Sequence, residues 1–423
     1  MHSVVLVDGC RTPFLKAGTV QGITATEMGV ATVKALMARY PHLSDHIDIV
    51  IGANVGNQLL PSDGSNIARI IAVQAGLPKN ISARTMNMNC VSSMAAVEEA
   101  AMRIACGKAD LVLVPAVEAM SDYTLLLARK QRARYERMVA ASNMKKWWKK
   151  VPAVLAAQAG IWAHGHKPFL SANFGDAPLW ELETGLTDPL CGMGMSETAE
   201  AIAQKWRITR AEQDFFALDS HRRASAAQKA GRFAEEIIPF RGLTEDNGIR
   251  HGQEMTALEK LRPVKKCSSV TPGNSSQLTD GAVALLIASE EFARARGLPV
   301  LATLSPEAML SVGCEPKYMG IGPVPAVREI LKKTGLAIKD IELFELNEAF
   351  ASQSLYCIRE LELPADRVNI NGGAIALGHP IAATGARLIL TAALQLALKN
   401  GKFALVTACV GGGQGFAIVL RRS

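Results

Sequence analysis

Aromatic residues make up only 5% of this 423-residue chain, so its core has to come from Ala, Val, Leu, Ile and Met. Small aliphatic side chains suit close packing of helices on sheets better than an all-β sandwich. No run of about 18 apolar residues is free of charge, so a helix spanning a bilayer is not expected. The opening MHSVVLVDGCRTPF has no basic patch ahead of a long apolar stretch, so it reads as a first strand and not as a leader. The eight cysteines, at 10, 90, 106, 191, 267, 314, 357 and 409, are scattered and form no CxxC pair. A disulfide framework or a metal site is therefore not expected, and a reducing, cytoplasmic compartment is. A P-loop, a complete GxGxxG, a GxSxG and an HExxH are all missing, and with them the commonest nucleotide, serine-hydrolase and zinc-protease chemistries.

What is present begins with apolar content: 49% of the residues are hydrophobic, enough for sizeable cores and too much for bulk disorder. At roughly 100–200 residues per domain the chain holds two to four packed units. Its formal charge of +7 is concentrated in one place. Residues 123–150 carry nine Lys and Arg against Glu136 alone, leaving 37 basic against 38 acidic residues elsewhere. A broad nucleic-acid-binding surface is therefore not expected. On helical geometry, Met144, Trp147, Trp148 and Val151 share one arc, and Lys145, Lys146, Lys149 and Lys150 the opposite one. A basic amphipathic helix with Trp on its apolar face fits peripheral membrane contact, and equally fits docking on its own protein or on a partner subunit.

Short runs at 3–8, 47–53, 81–88 and 110–117 read as buried strands and alternate with helical stretches at 24–40, 65–76 and 91–106. That alternation predicts an α/β layer structure with a largely parallel sheet. From 123 to about 260 the pattern changes to helices and Gly/Pro-containing loops, an inserted region. Strand-like runs return at Ala282–Ser289 and Val300–Leu304, followed by helices at 324–335 and 347–360. A weak internal repeat runs through both ends. The helix opened near Cys90 reaches Gly107-Lys108 and then ADLVLVPAVEAM, while the helix from about Ala382 reaches Gly401-Lys402 and then FALVTACVGGG. Two equivalent halves explain this, and so does chance likeness between two βαβ units.

Four segments hold residues able to do chemistry. Cys90 follows the extended SARTMNMN and opens a helix, where the helix N-terminus favours thiolate and a lowered pKa; a small packing cysteine is the plainer alternative. His379 lies between Gly378 and Pro380 in GGAIALGHPIAATGAR, and Cys409 ends a buried strand before a glycine turn whose free N–H groups could receive an oxyanion. Asn347 and Glu348 stand at a strand-to-helix junction, where Asn347 taken singly is an N-cap candidate. All four sit at strand ends, where α/β folds bind ligands.

Taken in order along the chain, RTPF (11–14), the Cys90 corner, MSETAE (195–200), AQKAGRFAEEIIPF (227–240), IRHG (249–252), KLRP (260–263), SVTPGNSSQLTDGA (269–282), NEAFA (347–351), the GHP segment and CVGGGQG (409–415) resemble the thiolase family over essentially the whole length. The resemblance implies the five-layered αβαβα thiolase fold of two similar halves plus an inserted loop domain, assembled as a homodimer or homotetramer. The expected boundaries are 1–122 for the N-terminal half, completed by about 261–290, then 123–260 for the loop domain with its basic insertion at 123–168, and 291–423 for the C-terminal half. By matched position, Cys90 corresponds to the acylated nucleophile and His379 to the residue that activates it and helps bind the thioester oxygen. Cys409 corresponds to the acid/base at the acetyl-CoA methyl carbon, expected near neutrality. Asn347 corresponds to the holder of a water completing the first oxyanion hole. The backbone N–H groups of Cys90 and Gly411 correspond to the second hole, and Ser276 and Arg250 to positions along bound CoA.

The implied activity is thiolytic cleavage of 3-ketoacyl-CoA by CoA through an acyl-Cys90 intermediate, with CoA a substrate and no cofactor required. The basic insertion resembles the fatty-acid β-oxidation type that forms the β subunit of trifunctional complexes, which implies a hydratase/dehydrogenase partner and membrane contact. That type commonly carries His where this chain has Asn347. Claisen condensation of two acetyl-CoA by the same residues is the alternative, and a non-catalytic acyl-CoA or lipid-binding role the remote one.

Overall fold

The computed structural model describes residues 2–57, 63–126 and 179–422. The chain divides into a unit of residues 123–186 and a larger unit of residues 1–122 and 187–423. In the smaller unit, Leu125–Leu126 pairs antiparallel with Leu179–Trp180, and the short helix Glu181–Gly185 follows. The expected contact residues Trp147, Trp148, Lys145, Lys146, Lys149 and Lys150 lie outside the described residues. No helix among the described residues is long and apolar enough to cross a membrane.

The larger unit is organised about an eleven-stranded sheet. Its path runs from Leu343–Leu346 through Phe403–Val410, Gln414–Arg421, Ala302–Thr303, Val4–Arg11, Thr279–Ser289, Leu111–Ala119 and Ile49–Ala53 to Ser82–Met86. The two halves meet at the short strand Ala302–Thr303, where Thr303 pairs with Arg421 on one side and Val5 on the other. Only these two residues of the expected run Val300–Leu304 form a strand.

The helices Ser92–Ala105 and Thr384–Leu398 pack between the two halves of the sheet, in a core that also takes Val112, Val114 and Leu285 from one half and Val406, Phe416 and Ile418 from the other. The helices Ala25–Arg39 and Ile67–Gln74 cover the outer face of the first half, and Pro323–Thr334 and Ala351–Glu360 that of the second. Helix, sheet, helix, sheet, helix gives five layers. Both central helices are rich in Ala, and they cross where a Cβ on Gly385 would lie 2.5 Å from Met94 Cγ, so glycine is required there. This crossing brings the two helix N-termini, and the residues just before them, to one place.

The sheet is mixed, which corrects the expectation of a largely parallel one. Among the described strands of this sheet, parallel ladders join Ile49–Ala53 to its two neighbours and Leu343–Leu346 to Phe403–Val410, and the other ladders are antiparallel. Thr279–Ser289 lies antiparallel between Val4–Arg11 and Leu111–Ala119. It arrives after a long insertion, so no βαβ crossover dictates its direction. Phe403–Val410 and Gln414–Arg421 are joined by a tight turn in which Gly412 and Gly413 have φ of +94° and +83°, a connection that only antiparallel neighbours can use.

Arg11 explains why RTPF and AEEIIPF occur together. Fully buried, it gives Nε to Glu236 Oε1 at 2.8 Å and both terminal nitrogens to Asp246 at 2.6 and 2.8 Å. Asp246 Oδ1 also accepts from Phe14 N at 2.7 Å. Removing Asp246 leaves this buried cation with Glu236 as its one carboxylate partner and strips its bidentate contact. Asp246→Ala is therefore expected to destabilise the protein by about 3–5 kcal/mol, read as a lowered denaturant midpoint. A loss below about 1 kcal/mol would show that the clamp carries no such stake.

Candidate active site

Cys90 stands where the strand Ser82–Met86 gives way to the helix Ser92–Ala105. The preceding Asn89 has a left-handed φ of +48°, so the chain turns sharply there. Ser92 holds the turn closed: its Oγ donates to Asn89 O at 2.7 Å and accepts from Met88 N at 2.8 Å. Asn89 Nδ2 donates to Gly411 O at 3.0 Å, which fastens the corner to the glycine turn. The backbone N–H groups of Gly411 and of Cys90 itself face the half-buried thiol.

Burial nevertheless pushes this thiol up to about 11; the two N–H groups pull the other way and the nearby Glu118 adds to the rise. The expected lowered thiol pKa is corrected: desolvation outweighs the two backbone N–H groups, and the thiol is shifted up, not down.

His379 is carried by the turn between the short helix Ala374–Leu377 and the helix Thr384–Leu398. Gly378 before it has φ +105°, and a Cβ there would lie 2.5 Å from Thr279 Oγ1, so only glycine fits. Thr279 Oγ1 accepts from His379 N at 3.1 Å. Two contacts fix the tautomer. Thr384 Oγ1 donates its single proton to Pro380 O at 2.9 Å, so it must accept from His379 Nδ1–H at 2.6 Å. The Asn347 amide nitrogen, which can only donate, lies 3.4 Å from Nε2. The proton thus sits on Nδ1 and the lone pair on Nε2. Burial, with Arg387 nearby, lowers the imidazole pKa to about 4, so it is neutral at neutral pH.

Asn347 is fully buried, and its Oδ1 has no hydrogen-bond partner among the described residues. Its backbone N donates to Thr407 O at 3.0 Å, which carries the parallel ladder one residue past Leu346. The N-cap reading is corrected. The helix begins at Ala351 with Phe350 as its N-cap, because the Asn347 backbone is engaged in the sheet.

Cys409, also fully buried, precedes the last residue of Phe403–Val410, two residues after that Thr407 carbonyl and two before Gly411. Burial first, then Cys90, Cys357 and Cys314, raise its pKa well above the ordinary thiol value, so the expected near-neutral thiol is corrected in the same way. The chain therefore brings Cys90, His379, Asn347 and Cys409 together in two linked pairs. Cys90 faces the turn that follows Cys409, and Asn347, hydrogen-bonded to the Cys409 strand, faces His379.

Ser276 is half-buried, and its N donates to Ala349 O at 3.0 Å, beside the Asn347 segment. Arg250 is exposed and lines a recess of about 240 Å³ with His251, Gln253 and Glu254; its N donates to His221 Nδ1 at 3.2 Å. Sequence reasoning missed Thr384, which sets the His379 tautomer, although its place five residues on at a helix start was a signal. It also missed Glu118. This buried carboxylate accepts from Gly56 N and Ala382 N, both at 3.0 Å, tying the His379 segment to the first half of the fold.

Two thiols, one neutral imidazole with a free lone pair and one amide, ordered along the chain as in the motifs above, decide the comparison with known proteins. The chain matches the family descriptions "Thiolase, N-terminal domain" over residues 4–291 and "Thiolase, C-terminal domain" over residues 298–422. It belongs to the thiolase family.

This thiolase is 38% identical to the beta-ketoadipyl-CoA thiolase of Escherichia coli over 438 residues, covering 100% of both chains. It is likewise 38% identical to the acetyl-CoA acetyltransferase of Pseudomonas aeruginosa over 433 residues, again covering 100% of both. The solved structure of human mitochondrial 3-ketoacyl-CoA thiolase in complex with CoA matches with a TM-score of 0.85 and 33% identity, covering 100% of this chain and 98% of that one. The protein is thus an acyltransferase of the acetyl-CoA C-acyltransferase type, with the cleavage and condensation chemistry of acyl-CoA that defines thiolases.

Proposed function

We propose that this thiolase cleaves 3-ketoacyl-CoA with CoA, in the degradative direction of fatty-acid β-oxidation, through an acyl group carried on Cys90. The observation that supports the reading most is the pair of linked contacts: Cys90 faces the turn after Cys409, and Asn347, hydrogen-bonded to the Cys409 strand, faces His379. Cys90 attacks the keto carbon and passes its proton to His379 Nε2. The carbonyl oxygen takes up negative charge between the N–H groups of Cys90 and Gly411. Breaking the Cα–Cβ bond releases an acetyl-CoA enolate, whose oxygen is met by His379 Nε2–H and by a water on the otherwise unpartnered Asn347 Oδ1. One such donor is typically worth about 2.7–4 kcal/mol of barrier.

Cys409 then protonates the enolate carbon. A donor for this step need only be more acidic than the carbon acid it makes, so a high thiol pKa keeps Cys409 loaded across the working range. The resulting Cys409 thiolate takes the proton of an incoming CoA thiol, CoA displaces the acyl group, and His379 returns its proton to Cys90. CoA runs past Ser276 towards Arg250 in this reading, and a second copy of the chain completes the oligomer. The trifunctional-type partnership rests on the basic insertion alone.

A second reading is favoured by one specific finding. The relatives at 38% identity include enzymes named for beta-ketoadipyl-CoA, a short substrate ending in a carboxylate. Steady-state thiolysis with 3-ketoacyl-CoAs from C4 to C16, alongside 3-oxoadipyl-CoA, separates the two. The first reading expects kcat/KM to rise with chain length, the second a maximum at 3-oxoadipyl-CoA. Activity confined to the C4 substrate would overturn both and favour acetoacetyl-CoA synthesis.

The electrostatics give a pH expectation. Proton acceptance by His379 fails only as pH falls towards about 4, and the Cys90 thiol loses its proton only towards about 11. The kcat/KM for thiolysis is therefore expected to be flat from about pH 6 to 8. An acid limb centred near the ordinary histidine value of about 6.5 would contradict a buried neutral imidazole.

A further inference from the structure

Glu348 follows Asn347, is 2% exposed, and takes no part in the steps above. Its carboxylate accepts three hydrogen bonds from three separate segments. Asn369 Nδ2 reaches Oε1 at 2.7 Å; Ser220 Oγ and Ile375 N reach Oε2 at 2.6 and 3.2 Å. Ile375 belongs to the short helix that leads through Gly378 into His379. Gly373, just before that helix, passes so close that a Cβ would lie 2.1 Å from Glu348 Cδ, and its N donates to Ser220 Oγ at 3.2 Å.

Asn369, with a left-handed φ of +45°, supplies the other arm. Its Oδ1 accepts from Leu346 N and its Nδ2 donates to Leu346 O, both at 2.9 Å. One side chain thus extends the ladder at the strand end that delivers Asn347. Through Asn369 the Glu348 carboxylate holds the residue before Asn347, and through Ile375 and Ser220 it holds the turn before His379.

We propose that Glu348 is a positioning residue of the thiolase reaction, an anionic strut that sets the spacing between Asn347 and His379 and so shapes the oxyanion site they form. The inference rests on the functional reading given above. Asn369 Nδ2 and Ile375 N can only donate and the Ser220 hydroxyl donates here, so the ionised carboxylate satisfies all three. Burial pushes this carboxyl up, and the hydrogen bonds from Ser220, Asn369 and Ile375, with the charge of Arg387, offset part of that rise.

Glu348→Gln tests it. Whichever way the new amide turns, its NH2 faces either Asn369 Nδ2 or Ile375 N–H, so one arm is lost while the volume is kept. In the full-length enzyme, kcat for thiolysis is expected to fall about 30–100-fold, with KM for CoA and for the 3-ketoacyl-CoA within about twofold. Adding Asn347→Ala to Glu348→Gln should cost less than about threefold beyond Asn347→Ala alone, because both act through one site. Ser220→Ala is the milder variant, removing one donor without a clash. It is expected to lower kcat about 3–10-fold at unchanged KM, and it serves if Glu348→Gln does not fold.

A folded Glu348→Gln or Ser220→Ala enzyme with kcat within about twofold of wild type overturns the proposal, and so does a double variant whose losses multiply in full. Wild-type protein inactive on every 3-ketoacyl-CoA would instead overturn the functional reading on which it rests.

Discussion

A Cys90→Ala enzyme is expected to lose thiolysis and condensation together, by about 10⁴-fold or more. Both directions pass through the same thioester. Without the sulfur there is nothing to hold the acyl group between departure of one CoA product and arrival of the next, and the remaining oxyanion donors have no tetrahedral intermediate to stabilise. The substitution removes one sulfur atom and leaves in place the hydrogen bonds of Ser92 and Asn89 that hold the turn. The loss should therefore come with a Tm near that of wild type. Measurable acyl-enzyme in the alanine variant would reject Cys90 as the nucleophile.

Cys409→Ala is expected to divide the reaction. Carbon–carbon cleavage and formation should fall by about 10²–10⁴-fold, the usual worth of a positioned proton donor. Acylation of Cys90 from a simple thioester such as acetyl-CoA should persist within about tenfold, because no proton has to move on or off carbon. His379 and the N–H groups of Cys90 and Gly411 remain in place for that half-reaction. Equal loss of both half-reactions would contradict the division of labour between the two thiols.

The fold was legible where local pattern determines it. The apolar runs ending at Ala53 and Ala119 and the helix after Cys90 are settled by burial and periodicity within a few dozen residues. Ser82–Met86, expected as a buried strand, is instead an edge strand of exposed and half-buried residues. The direction of Thr279–Ser289 was not legible, because a strand that returns after a long insertion has no short crossover to constrain it. The N-cap alternative for Asn347 fails for a similar reason. Its residue type favours a cap, but a hydrogen bond to Thr407, sixty positions on, keeps it in the sheet. The candidate residues themselves came from motif order; the structure sets Cys90 against the turn after Cys409 and Asn347 against His379, and their roles stand as proposals.

Their protonation was not legible. A helix N-terminus is visible in sequence, but how much water a fold removes from Cys90 or Cys409 is not, and desolvation is the larger effect at both. Glu348 was hidden for the same kind of reason. Its partners Ser220, Asn369 and Ile375 lie on separate segments, and only the fold shows that one carboxylate joins them.

The most direct measurement is peptide mass spectrometry of the enzyme mixed briefly with a 3-ketoacyl-CoA in the absence of free CoA. The account predicts the shortened acyl mass on the peptide containing Cys90, none on the peptide containing Cys409, and its disappearance when CoA is added. An acyl group on another residue, or full turnover with no acylated peptide, would contradict it.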